Sequence, residues 1–116
     1  MELDISIIRE NIKMGYYDTL RVLKRLDGYK YCFKRKRNWY YNFLVRKVDK
    51  RLLKRVNNFF KAESNKELVI KAIEYVLEKE GIDYYDIYNV SKMIKFIKKK
   101  DSNHFVYRFI KLLKFF

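Results

Sequence analysis

Four consecutive cations, Lys34, Arg35, Lys36 and Arg37, interrupt an aromatic-rich stretch, 29-YKYCFKRKRNWYYNFLVRK-47. The chemistry open to such a run is neutralisation of a polyanion. Phosphate contacts carry no sequence information, so interchangeable cations serve them well. Arg21 with Arg25, and Lys50, Arg51, Lys54 with Arg55, repeat the pattern at helical spacing on either side. The plain alternatives are a solvated tip, with charges that blunt a sheet edge against aggregation, and a solubilising helix face. Trp39 and Tyr40 stand beside these cations. Core packing is the usual fate of such rings, and stacking on unpaired bases is the alternative.

Other chemistries find little support. Cys32 is the only cysteine and His104 the only histidine, which excludes an intrachain disulfide and a Cys-rich zinc site. A Cys–His nucleophilic pair would require these two to meet, and nothing in their contexts suggests it. The chain has no P-loop, no glycine-rich cradle and no metal-ligand spacing. Glu63, Glu67, Glu74, Glu78 and Glu80 share a segment but read as solvated helix positions. The expectation is a non-enzyme without metal or cofactor.

Charge and length agree with a binding role. The chain has 116 residues and a net charge of +14, which suits one domain, 1–116, whose self-repulsion an anionic partner would relieve. Nucleic acid is the first candidate and an anionic membrane surface the second. A/T-rich codon usage is a further source of lysine and tyrosine. Residues 21–55 hold fourteen cations against Asp27 and Asp49, whereas residues 63–86 hold three cations and seven anions. The excess is therefore directed to one stretch. The opening Met1-Glu2-Leu3-Asp4 is acidic and does not read as a signal peptide, and no apolar run is long enough to span a bilayer. A cytoplasmic protein is expected, or a virion component if the source is viral.

These side chains need elements to position them. Ile5, Ile8 and Ile12 recur at helical spacing. Met14-Gly15 interrupts, and Leu20, Leu23 and Leu26 resume the period up to Gly28. Beyond Gly28 the period becomes two: Tyr29, Tyr31 and Phe33 alternate with Lys30, Cys32 and Lys34, and Trp39, Tyr41, Phe43 and Val45 alternate again. This spacing predicts a β-hairpin with the cations 35-RKRN-38 in its bend, with a helix as the alternative because the stretch lacks glycine and proline. Helices follow: one through Leu52, Leu53, Val56, Phe59 and Phe60, and another opened by the capping box Ser64-Asn65-Lys66-Glu67 and closed by Gly81. The third, capped by Asp83, carries Ile87, Val90, Ile94 and Ile97 and ends at Lys98-Lys99-Lys100. Asp101-Ser102-Asn103 breaks the chain before a last helix with Phe105, Phe109, Leu112, Leu113 and Phe116 on one face. The fold class expected is mainly α with a β-hairpin, an α+β domain.

Two helices followed by a hairpin, 5-ISIIRENIKMGYYDTLRVLKRLDG-28 and the ribbon after it, resemble the winged helix-turn-helix superfamily of DNA-binding domains. The resemblance covers about residues 1–48 and leaves 49–116 as a helical extension for core completion or dimerisation. It implies that Ile5, Ile8, Ile12, Met14, Thr19, Leu23 and Leu26 build the core. It also implies that Tyr17, Arg21 and Arg25 face the major groove, with Lys34, Arg35, Lys36 and Arg37 as a wing against the backbone. Lys50, Arg51, Lys54 and Arg55 form a second basic patch. A later helix or a partner subunit would replace the family's first helix. The function implied is that of a small transcriptional regulator of archaeal or viral type, acting as a homodimer on double-stranded DNA. RNA is the alternative ligand. The rival functions are a structural nucleoprotein component, of an RNA particle or a virion, and an inhibitor docking on an acidic protein surface.

Overall fold

The computed structural model describes residues 26–84 and 86–113. The two helices expected over 5–26 lie almost wholly outside that range. Strand β1 (Leu26–Asp27) pairs antiparallel with β2 (Cys32–Lys34), with Leu26 opposite Lys34 and Asp27 opposite Phe33. Gly28 makes the turn between them. Its φ is +117° and a Cβ there would lie 2.0 Å from the Tyr31 carbonyl oxygen, so neither conformation nor space admits a side chain. Strand β3 (Ile87–Tyr88) joins parallel to β2, which becomes the central strand. Tyr31, Cys32 and Phe33 are all buried. Burial of successive strand residues means that both sheet faces are covered, which the simple alternation did not anticipate for Cys32.

The expected second strand of the wing is a helix. Residues 38–44 form α1 (Asn38–Leu44), preceded by Arg37 in extended conformation. Tyr40, Tyr41, Leu44, Val45 and Val48 are buried, a stripe at helical intervals. Aromatic residues favour strands only where a pleated, half-buried surface receives them. Here the apolar stripe packs against the long helix α3 (Asn65–Lys79) instead, and that packing decides the local structure.

Between them lies α2 (Lys50–Phe60), where the Asp49 carboxylate caps by accepting the Arg51 N–H at 3.2 Å. Lys61, at φ +53°, ends it in the left-handed region. The capping box opens α3 as read: Ser64 Oγ accepts the Glu67 N–H at 3.1 Å. Glu67 in turn accepts the Glu63 N–H at 3.1 Å. Helix α3 buries Leu68, Val69, Ile70, Ala72, Ile73, Val76 and Leu77 and touches α1, α2, α4 (Val90–Lys98) and α5 (Phe105–Lys111). It is the axle of the domain, each of its buried Leu, Ile or Val side chains contributing roughly 1.5–3 kcal/mol.

Two further expectations change after Gly81. No helix starts at Asp83; residues 87–88 are strand, and Asn89 caps α4 by accepting the Ser91 N–H at 3.0 Å. Ile87 is accordingly an exposed strand residue rather than an inward helix residue. In the last helix Phe109 and Leu113 are buried as expected, but Leu112 is exposed. The architecture is a mixed α+β domain, with five helices and one three-stranded sheet among the described residues. None of those helices is long and apolar enough to cross a membrane.

Candidate nucleic-acid interface

The cationic bend is held by two residues that the sequence did not single out. Asp27 is 7% exposed, and its carboxylate accepts the Lys36 backbone N–H at 2.9 Å and the Tyr41 hydroxyl at 3.0 Å. Lys66 Nζ sits 2.7 Å from the other Asp27 oxygen and donates to the Lys36 carbonyl at 3.3 Å. Both backbone polar groups of Lys36, in the bend, are thus tied to β1 and α3. Burial, reinforced by the adjacent Asp27 carboxylate, pushes the Tyr41 phenol well above the ordinary tyrosine range, so it remains a donor. With the backbone fixed, Lys34, Arg35 and Arg37 project into solvent and Lys36 is half-buried, its ammonium 5.4 Å from the Tyr40 ring centre.

The loop before the bend is fixed in a similar way. Glu74 is 3% exposed, not solvated, and one of its oxygens accepts the N–H groups of Tyr29, Lys30 and Tyr31 at 3.0, 2.5 and 2.6 Å. Three converging N–H groups form an anion nest, filled here by the protein's own carboxylate. Lys30 closes over it with an exposed ion pair to Glu78 at 2.9 Å. That hydrogen bond raises the lysine pKa and lowers the glutamate's.

Past the bend, α1 presents Trp39 to solvent, 61% exposed, and not in the core that is the usual fate of such a ring. Asn42, three residues on and on the same side of the helix, is also exposed and lines a cleft of about 580 Å³. Lys50 and Lys54, one turn apart on α2, line the same cleft with Asn57, Ser64 and Asn65. Asn65 donates to Asn42 at 3.0 Å, joining the first turn of α3 to α1. The first turn of α3 therefore touches the bend through Lys66 and the cleft through Asn65. Arg51 and Arg55 are exposed on an adjoining side of α2, the Arg55 guanidinium 4.4 Å from the centre of the Phe105 ring.

The charge balance of this region is one-sided. Residues 34–66 hold twelve lysines and arginines against Asp49 and Glu63. The carboxylates of α3 and β1 are engaged elsewhere: Asp27 with Lys66, Glu67 with Lys71, Glu78 with Lys30, and Glu80 with Lys100. Among the described residues no carboxylate pairs with Lys34, Arg37, Lys50, Arg51 or Lys54.

The structure thus joins Lys34–Arg37 to the Lys50 and Lys54 cleft by way of α1, and adds Asp27, Lys66, Trp39, Asn42 and Asn65. Tyr17, Arg21 and Arg25 lie outside the described residues. Among those described, no group of three or more His, Cys, Asp or Glu side chains could hold a metal ion. Comparison with protein-family models, with curated proteins and with solved structures finds no match.

Proposed function

We propose that the chain is a small nucleic-acid-binding protein, gripping a phosphate backbone along the face formed by the Lys34–Arg37 bend, α1 and the outer side of α2. The observation that carries this reading is the unbalanced cluster of cations on a backbone held in place by Asp27 and Lys66. A surface of this kind gains affinity by releasing the counterions condensed on a polyanion. The Asp27 and Lys66 side chains fix the backbone of the bend, so the stems of its cations start from fixed positions.

The winged helix-turn-helix likeness rests on residues 5–25, where Arg21 and Arg25 would supply base contacts for a duplex-reading regulator. The wing itself has no part in the proposal, because α1 occupies its second strand. Cations that contact phosphates without reading bases equally suit a coating nucleoprotein.

Fluorescence anisotropy with labelled single-stranded and duplex oligonucleotides, from low to physiological salt, tests the proposal. Micromolar or tighter binding at low salt, weakening steeply as salt rises, is expected. Absence of binding to either form at low salt, with tight binding to an acidic protein surface, would instead support the inhibitor reading.

A further inference from the structure

We infer that the ligand of this surface is an unpaired strand, of RNA or DNA, and that Trp39 is the platform on which one of its bases stacks. The inference rests on the nucleic-acid reading above and names the class of nucleic acid.

Trp39 carries the largest apolar side chain in the chain, yet it is 61% exposed at the start of α1. The indole is braced: its ring meets the Tyr40 ring edge to face at 6.4 Å and 82°, and Tyr40 meets buried Tyr41 in the same way at 5.4 Å and 85°. A tryptophan anchored through two further rings to the core is a rigid surface feature. Rigid aromatic platforms bind bases with little ordering entropy.

Its surroundings are those a single strand would need. Arg35, Lys36 and Arg37 precede it in the chain, with only Asn38 between, and the α1 side that carries it continues to Asn42 at the cleft mouth. Three residues of helix advance about 4.5 Å, an interval over which neighbouring bases can engage Trp39 and Asn42 in turn. The Asn42–Asn65 pair leaves one amide NH2 group and one carbonyl for base edges whichever way the two amides face. Lys50 and Lys54 then flank the strand on the far side of the cleft.

A duplex makes poor use of this layout. Its bases are stacked on one another, so an exposed indole would meet base edges, sugar and phosphate but no free base face. The cleft volume, about 580 Å³, falls in the range of small-ligand pockets, suited to nucleotides and not to a double helix.

Trp39 is the only tryptophan among eleven tyrosines, so fluorescence excited at the red edge, where tyrosine does not absorb, reports on this position alone. The unmodified protein should be titrated at low salt with a ten-nucleotide oligo-dT, oligo-rU, an abasic strand of equal length, a short duplex and a poly-glutamate peptide. Strong quenching by oligo-dT or oligo-rU, with little from the abasic strand, the duplex or the peptide, is expected. A difference between the dT and rU arms identifies which sugar is preferred. Trp39→Ala should weaken binding to the preferred strand by about 5- to 150-fold while leaving duplex binding within about twofold, and Trp39→Phe should retain part of the affinity. Quenching by the peptide equal to that by oligo-dT would overturn the inference. So would W39A binding oligo-dT and oligo-rU as tightly as the unmodified protein, which would leave the nucleic-acid reading intact. Failure of the unmodified protein to bind any oligonucleotide would remove both.

Discussion

Replacing Glu74 with alanine tests the device that holds the loop ahead of the cationic bend. The Glu74 carboxylate gathers three successive backbone N–H groups onto one oxygen, at 3.0, 2.5 and 2.6 Å. A hydrogen bond to a charged group contributes about 1.5–3 kcal/mol net, but these three share one acceptor and will not add. Tyr29 and Lys30 are exposed residues, so water can replace the carboxylate at their N–H groups. Tyr31 is buried, and its N–H would be left without an acceptor. The loss expected for E74A is therefore about 3 kcal/mol, dominated by the Tyr31 N–H and by the cavity left behind. E74Q keeps an oxygen at the nest but loses the charge, and about 1–2 kcal/mol is expected. Urea unfolding followed by far-UV circular dichroism measures both, since the exposed Trp39 is a poor reporter of the core. A loss below about 0.5 kcal/mol for E74A would refute the claim that this carboxylate organises the loop. An E74Q loss equal to that of E74A would refute the part given to charge.

Two further perturbations probe the same frame. Gly28→Ala places a Cβ against the Tyr31 carbonyl in a backbone conformation that L residues rarely adopt. It should cost more than about 2 kcal/mol in the same unfolding assay; a change within about 0.5 kcal/mol would show that the turn can rearrange. His104 caps α5, its Nδ1 accepting the Val106 N–H at 3.3 Å, and it stacks on Phe105 at 4.7 Å. Burial, with Lys79 and Arg55 nearby, lowers its pKa. The unfolded chain therefore takes up the proton first as pH falls. Stability should be full above about 6.5 and should decline as pH drops from there towards the folded-state value. His104→Asn retains a capping oxygen and should lose that part of the pH dependence, measured by thermal melts at pH 7 and pH 5.5; identical pH dependence in both proteins would contradict it.

Helix α3 was legible because its cap and its periodic stripe coincide. Ser64 and Glu67 mark the start of α3, and its inward residues, Val69, Ala72, Ile73, Val76 and Leu77, follow from the spacing. The stretch 38–48 misled because its aromatic residues satisfy two patterns. Trp39, Tyr41, Phe43 and Val45 alternate, while Tyr41, Leu44, Val45 and Val48 form a helical stripe, and only contact with α3 selects the second. The basic character of the bend and of α2 was plain from charge alone. What holds the bend was not: Asp27 and Lys66 are 39 positions apart, and each looks like an ordinary surface residue until Lys36 is brought between them. Glu74 was misplaced for a related reason. A helix glutamate is solvated by default, and its burial requires a loop 43 to 45 residues away to supply three N–H groups.

The most direct test of the cationic face compares the unmodified protein with a variant in which Lys34, Arg35, Lys36 and Arg37 are all alanine. The exchange keeps the hydrogen bonds of residue 36 to Asp27 and Lys66, since both use its backbone atoms. The plot of log affinity for a single strand against log salt should become shallower by about two to three units, four phosphate contacts at roughly 0.7 each. An unchanged slope in a folded variant would contradict the assignment of this bend to phosphate binding.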